Sequence, residues 1–129
     1  MLIKVAADNN IDGSLLIIFN NDRQMSNLNS RFKRKNRPTD VLAFNLADIK
    51  MKNYIEGEVY IDLQIAARQA RDYKVDYLEE VVRLCLHGLL HLIGYDDLKT
   101  TDKNKMWKLQ ESYINKFLKR IPDGTKRRR

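Results

Sequence analysis

Residues 78–93 constrain this chain more than any other segment. Leu78, Val81, Val82, Cys85, Leu86, Leu89, Leu92 and Ile93 recur at three- and four-residue intervals and lay one apolar stripe along an α-helix. A stripe that long must be covered, so the rest of the chain has to wrap it. Residues 15–19 read as a buried strand closed by the turn residues Asn20 and Asn21, and Asp22 is the expected cap of a helix running to about Phe32. That helix places Met25, Leu28 and Phe32 on one face. Residues 41–44 form a second strand, residues 48–57 a connecting loop, and residues 58–62 an alternating third strand. Residues 63–73 read as a helix carrying Ile65, Ala66, Ala70 and Tyr73. A last helix spans 101–118, capped by Thr100 or Thr101, with Met106, Leu109, Tyr113, Ile114 and Phe117 on one side. Strands come early and helices late, which makes the class α+β, a single domain with a small mixed sheet packed against helices.

Size and composition agree with that class. A chain of 129 residues is one domain and can bury roughly two-thirds of its unfolded surface. With 43% apolar and 32% charged residues it is neither a disordered nor a membrane-embedded composition. Its longest apolar run, 15–19, falls far short of the roughly 18 residues a span needs, so no membrane association is expected. The first eight residues lack a basic stretch followed by a long apolar one, so no secretory signal is read. The single cysteine, Cys85, excludes an intrachain disulfide, and a reducing, cytoplasmic setting is expected. The folded domain is expected over 1–119. Residues 120–129, which contain Pro122-Asp123-Gly124 and end in four consecutive bases, read as a disordered basic tail.

The net charge of +7 is localised. Arg23, Arg31, Lys33, Arg34, Lys35 and Arg37 crowd into 23–39 with no acid among them. Outside that segment and the four terminal bases of residues 126–129, fourteen bases face seventeen acids, a balance of −3. A mildly acidic body with a concentrated basic segment suits a polyphosphate partner, because each neutralised phosphate releases a condensed counterion. The plainer alternative is a solvated surface and a tail that aids solubility.

The only histidines, His87 and His91, lie four apart in the best-defined helix, about 40° apart on one face. That face lies away from the apolar stripe and also carries Asp76, Glu80 and Arg83, with Leu84 and Leu90 flanking the rings. Gly94 follows three residues after His91, where the apolar period ends, and can take the positive-φ conformation that closes a helix and reverses the chain. A reversed chain can bring Asp97 back beside the two imidazoles, with Asp96 as its rival. Two histidines and a carboxylate form a three-ligand site with an open fourth position, the arrangement of catalytic zinc. The spacing resembles the long zinc-protease motif, but Gly88 stands where that motif has its glutamate base, so proteolysis is disfavoured. Cys85 points to the far side of the helix and belongs to the core.

Residues 87–97, His-Gly-Leu-Leu-His-Leu-Ile-Gly-Tyr-Asp-Asp, resemble the signature of the YbeY family, metal-dependent endoribonucleases of bacterial ribosomal RNA maturation. A second match lies upstream in Leu28-Asn29, Phe32 and residues 35–44, Lys-Asn-Arg-Pro-Thr-Asp-Val-Leu-Ala-Phe. Residues 57–61, Ala66, Ala70, Tyr73, residues 78–80 and Met106 also fit, so the resemblance covers about 15–118. It implies an α+β domain with the metal-site helix central and a groove running from the metal to the basic segment. It also implies RNA as substrate, in particular the 3′ end of small-subunit ribosomal RNA, and the ribosome and its assembly factors as partners. Three positions depart from the family pattern. Asp97 stands in place of a third histidine, Lys33 in place of an arginine implicated in activity, and Ala43 in place of a serine. The N-terminus is also shorter than the family norm.

The reading that follows is hydrolysis of an RNA phosphodiester. His87, His91 and Asp97 hold one zinc ion, and Lys33 and Arg37 offset charge on the phosphate in the transition state. Arg31, Lys33, Arg34, Lys35 and Arg37 contact the RNA backbone without reading sequence. Asp40 is expected to be structural. Phe32 and Tyr95 are the only candidates for base stacking, and both could equally be core. Two alternatives belong to other classes: a ribosome-assembly factor that binds RNA around a structural metal, and a metal-dependent hydrolase of another phosphate ester or of peptides.

Overall fold

The central apolar segment folds as a helix, and it is covered on more sides than one stripe requires. The computed structural model describes residues 1–33, 39–48, 51–95 and 99–119, with Lys33 described by its backbone alone. Eight elements follow in order: α1 Leu2–Asp8, β1 Asp12–Asn20, α2 Asp22–Lys33, β2 Val41–Asn45, β3 Tyr54–Asp62, α3 Leu63–Tyr73, α4 Tyr77–Ile93 and α5 Thr100–Lys119. The fold is α+β. The expected tail at 120–129 lies outside the described residues.

The three strands form one mixed sheet in the order β1-β3-β2. β1 runs parallel to β3 over its whole length, from Asp12 opposite Tyr54 to Asn20 opposite Asp62. β2 runs antiparallel to β3, with Val41 opposite Ile61 and Asn45 opposite Gly57. β3 is therefore the central strand, and Ile55, Val59 and Ile61 on its inner face are buried. β1 corrects the expectation of a buried strand. It is an edge strand, and Leu16 and Phe19 are 56% and 52% exposed. Its near-continuous apolar run is the pattern of a strand covered on both faces, but only one face finds a partner. The expected loop over 48–57 is also corrected, because β3 begins at Tyr54 and pairs with the first half of β1. Gly57, which read as a loop glycine, lies under Leu92, whose Cδ1 would stand 2.6 Å from any β-carbon there. A strand glycine at a close helix approach gives the same local signal as a loop glycine.

Both helix caps lie earlier in the chain than expected. Asn21, not Asp22, starts α2: its Oδ1 accepts from Gln24 N–H at 2.8 Å, and Gln24 Oε1 accepts from Asn21 N–H at 3.0 Å. This reciprocal pair is a capping box built from Asn and Gln. At α5 the carbonyl of Lys99 accepts from Lys103 N–H at 2.9 Å, so Lys99 takes the cap position expected of Thr100 or Thr101. α3 has the expected bounds. Asp62 caps it, accepting from Gln64 N–H at 2.8 Å and Ile65 N–H at 3.1 Å.

α4 packs against β2, β3, α3 and α5. Its apolar residues feed two clusters. Leu86, Leu89 and Leu90 join Val5, Ile55, Met106, Tyr113 and Ile114. Val81, Leu84 and Cys85 join Val59, Ile61 and Ala66. Leu84 and Leu90, read as flanks of a polar face, are 5% and 0% exposed, whereas Leu78 is 54% exposed. The single stripe is thus corrected to a helix buried nearly all round, with only Tyr77 and Leu78 exposed at its start. Cys85 is in the core as expected, and burial pushes its thiol up to about 11.

Candidate metal centre

The site is built from α4 upward. One helical turn separates His87 from His91, and both rings are half-buried. They meet edge-on at 85°, with centroids 4.6 Å apart. Their Nε2 atoms converge to 3.1 Å. The other nitrogen of His87, Nδ1, lies 2.8 Å from Oε1 of Gln110 on α5.

Gln110 is the residue that sequence reasoning missed. It is 3% exposed and shares the inward face of α5 with Met106, Tyr113 and Ile114. Residues 106, 110, 113 and 114 repeat at helical spacing, so a lone amide on an otherwise apolar stripe was the available signal. Its Nε2 donates to Glu111 Oε2 at 3.2 Å. Glu111 in turn receives Arg83 on both oxygens at 2.9 Å. Arg83 also donates to Glu80 Oε1 at 3.0 Å and Glu79 Oε2 at 2.9 Å. Burial works against the Arg83 cation, but the Glu111 and Glu80 carboxylates outweigh it and hold its pKa above the usual range. Glu80 is pushed up, first by burial. The polar side of α4 is thus a second interface, satisfied by α5, and not a solvated face.

Gly94 closes α4 as expected. It has φ 120° and ψ 0°, and its N–H bonds to His91 O at 3.1 Å while Tyr95 N–H reaches back to Leu90 O at 3.0 Å. The second of these spans a full turn and is the Schellman closure. Beyond it, Asp96 and Asp97 lie outside the described residues, as do Arg34, Lys35 and Arg37. Among the described residues no three His, Cys, Asp or Glu side chains stand together as a metal cage. The two histidines nonetheless fit half of one. Two imidazole nitrogens on a tetrahedral zinc stand about 3.3 Å apart, and the observed 3.1 Å is within a few tenths of that. His87 engages Nδ1 with Gln110, and its Nε2 shares a hydrogen bond with His91 Nε2 that a bound ion would replace.

The remaining described candidates lie on other elements or beyond the end of α4. Lys33 ends α2. Arg31 holds its guanidinium 5.9 Å from the Phe32 ring, and that ring is 57% exposed and backed by Phe44 at 5.1 Å. Tyr95 packs on the core and donates its hydroxyl to Asn9 Oδ1 at 3.4 Å. Asp40 accepts from Gln69 Nε2 at 3.3 Å, and its carbonyl accepts from Asp62 N–H at 3.0 Å, so it ties β3 and α3 together at the head of β2.

The family model described as Endoribonuclease YbeY matches residues 2–118. The chain belongs to the YbeY family. Its relatives include Endoribonuclease YbeY of Aquifex aeolicus, 37% identical over 106 residues, which cover 82% of this chain and 69% of that one. The YbeY endoribonucleases of Pelagibacter ubique and Persephonella marina are 35% and 36% identical, covering 82% and 84% of this chain and 70% and 73% of theirs. The solution structure of TM1509 from Thermotoga maritima superposes with a TM-score of 0.65 at 26% identity, over 98% of this chain and 87% of that one. YbeY membership supports a nuclease that hydrolyses RNA internally. Among the described residues no helix is long and apolar enough to cross a membrane.

Proposed function

We propose that this protein is a single-strand-specific, metal-dependent endoribonuclease that acts in 3′-end maturation of 16S ribosomal RNA and in ribosome quality control, in the cytoplasm. The observation that carries the metal dependence is the convergence of His87 and His91 Nε2 at 3.1 Å on the helix at the centre of a YbeY fold. His87, His91 and Asp97 would hold one zinc ion, with a fourth position open. When bound, that ion supplies Lewis-acid chemistry to a phosphate oxygen and to water. The chain's own groups do the rest. Lys33 and Arg37 offset the charge that grows on the phosphate, and Arg31, Arg34 and Lys35 hold the backbone without reading bases. The ribosome and its assembly factors are the partners this substrate implies.

The peptidase alternative loses support from packing. A β-carbon at Gly88 would stand 2.6 Å from Val59 Cγ1, 3.1 Å from Val59 Cγ2 and 3.3 Å from Val41 Cγ2, so this position faces the sheet and any side chain there would have to displace Val59.

The test is cleavage of a single-stranded ribosomal RNA 3′ fragment by wild type, by metal-stripped wild type and by His91→Ala, each purified identically. Cleavage by the first alone is expected. Equal cleavage by all three marks a contaminant, and RNA binding without cleavage by any of them favours the assembly-factor reading.

A further inference from the structure

The ion network on the α4–α5 interface ends at His87, and its geometry has a direction. A carboxylate only accepts hydrogen bonds. Glu111, held on both oxygens by Arg83, therefore requires the NH2 end of Gln110 on its side. That turns Gln110 Oε1 toward His87 and leaves it able only to accept. His87 must then carry its proton on Nδ1 and present a lone pair at Nε2. We infer that Gln110 is a positioning residue that fixes the Nδ1–H tautomer of His87, and that Arg83 and Glu111 hold the Gln110 amide in the one orientation that does so.

The alternative is that these four side chains serve stability alone. Two observations weigh against it. The amide is 3% exposed on an apolar face where leucine or methionine would pack without any need for partners. The lone pair this sets at His87 Nε2 faces His91 Nε2, its hydrogen-bond partner at 3.1 Å. A second group that orients a ligating histidine raises metal affinity by about 10–100-fold. The consequence for metal rests on the proposed function above, but the tautomer does not.

The two are separated by measuring both. Long-range 1H–15N correlation on the metal-stripped protein reads which His87 nitrogen is protonated. Nδ1–H is expected in the wild type, and Nε2–H there overturns the inference with no variant needed. Gln110→Met keeps the volume and removes the acceptor, so a mixed tautomer is expected. The exchange Gln110→Glu with Glu111→Gln restores an acceptor facing His87 and an amide facing Arg83, and should restore Nδ1–H. A single unchanged tautomer in folded Gln110→Met overturns the inference. Competition with a chromophoric zinc chelator then reads affinity, with a loss of about 10–100-fold expected for Gln110→Met and recovery in the exchange. If wild type binds no zinc while the tautomer responds as expected, the metal reading fails and the role of Gln110 stands.

Discussion

Gly88 of α4 sits so close to Val59 of β3 that a β-carbon on the glycine would lie 2.6 Å from Val59 Cγ1. Val59 is fully buried and stiff at χ1, so it cannot turn aside. Gly88→Ala gains helix propensity of up to ~1 kcal/mol but forces overpacking that costs about 1–3 kcal/mol. A net loss of roughly 1 kcal/mol is expected in urea unfolding. Adding Val59→Ala should make the two changes strongly non-additive, with the double variant more stable than the sum of the single losses. Simple additivity would show that the contact does not set the helix–sheet distance.

Removing one imidazole should remove the ion. His87→Ala and His91→Ala are expected to lose bound zinc and RNA cleavage together while keeping the far-ultraviolet circular dichroism of wild type. Stoichiometric zinc in either purified variant, measured by atomic emission, would take that residue out of the ligand set.

Lys33 is proposed to act on phosphate, away from the ion. Lys33→Ala should keep full zinc content and lose about tenfold or more in RNA turnover. Losing one backbone contact should also flatten the salt dependence of RNA binding by ~0.7 in the log–log slope. A variant with wild-type turnover and an unchanged slope would show that Lys33 touches no phosphate.

Asp62 makes stability depend on pH in an unusual direction. It is fully buried at the start of α3, and its Oδ2 has no donor among the described residues. Burial, followed by the neighbouring Asp22 carboxylate, pushes it up to about 6. Asp22 stays ionised because Arg68 holds both its oxygens at 3.0 Å. The folded state therefore binds a proton at Asp62 that the unfolded chain, at the ordinary 3.8, has released. This contribution is present below about pH 4 and is lost as pH rises to about 6. Asn caps as well as Asp and can donate where the proton would. Asp62→Asn should thus be more stable than wild type at pH 8, by on the order of 2 kcal/mol, and lose that advantage at pH 4. Urea midpoints at the two pH values decide it, and a constant gap between the proteins would refute the assignment.

Periodicity was legible where an element's burial depends on its own residues. α3 appears with its expected bounds, and so do the paired histidines and the glycine that ends α4. What escaped depends on neighbours. Whether residues 15–19 lie inside or at the edge of the sheet is decided by strand order, which no local pattern carries. The polar side of α4, carrying Asp76, Glu80 and Arg83, read as only partly covered by Leu84 and Leu90, and only the arrival of Glu111 from 28 residues downstream turns it into an interface. Gln110 escaped for the same reason. The third expected ligand, Asp97, and the basic residues Arg34, Lys35 and Arg37 lie outside the described residues.

The wrapping of α4 by two strands and two helices has a kinetic side. A helix buried on that many sides opens only with the whole domain, so its amides should be among the slowest to exchange with deuterium. The backbone spacing of His87 and His91 is then set by the domain itself, with or without the proposed ion. If the proposed ion binds, a chelator that strips it should leave this half of the claw standing, with the two histidines still one turn apart for the next ion.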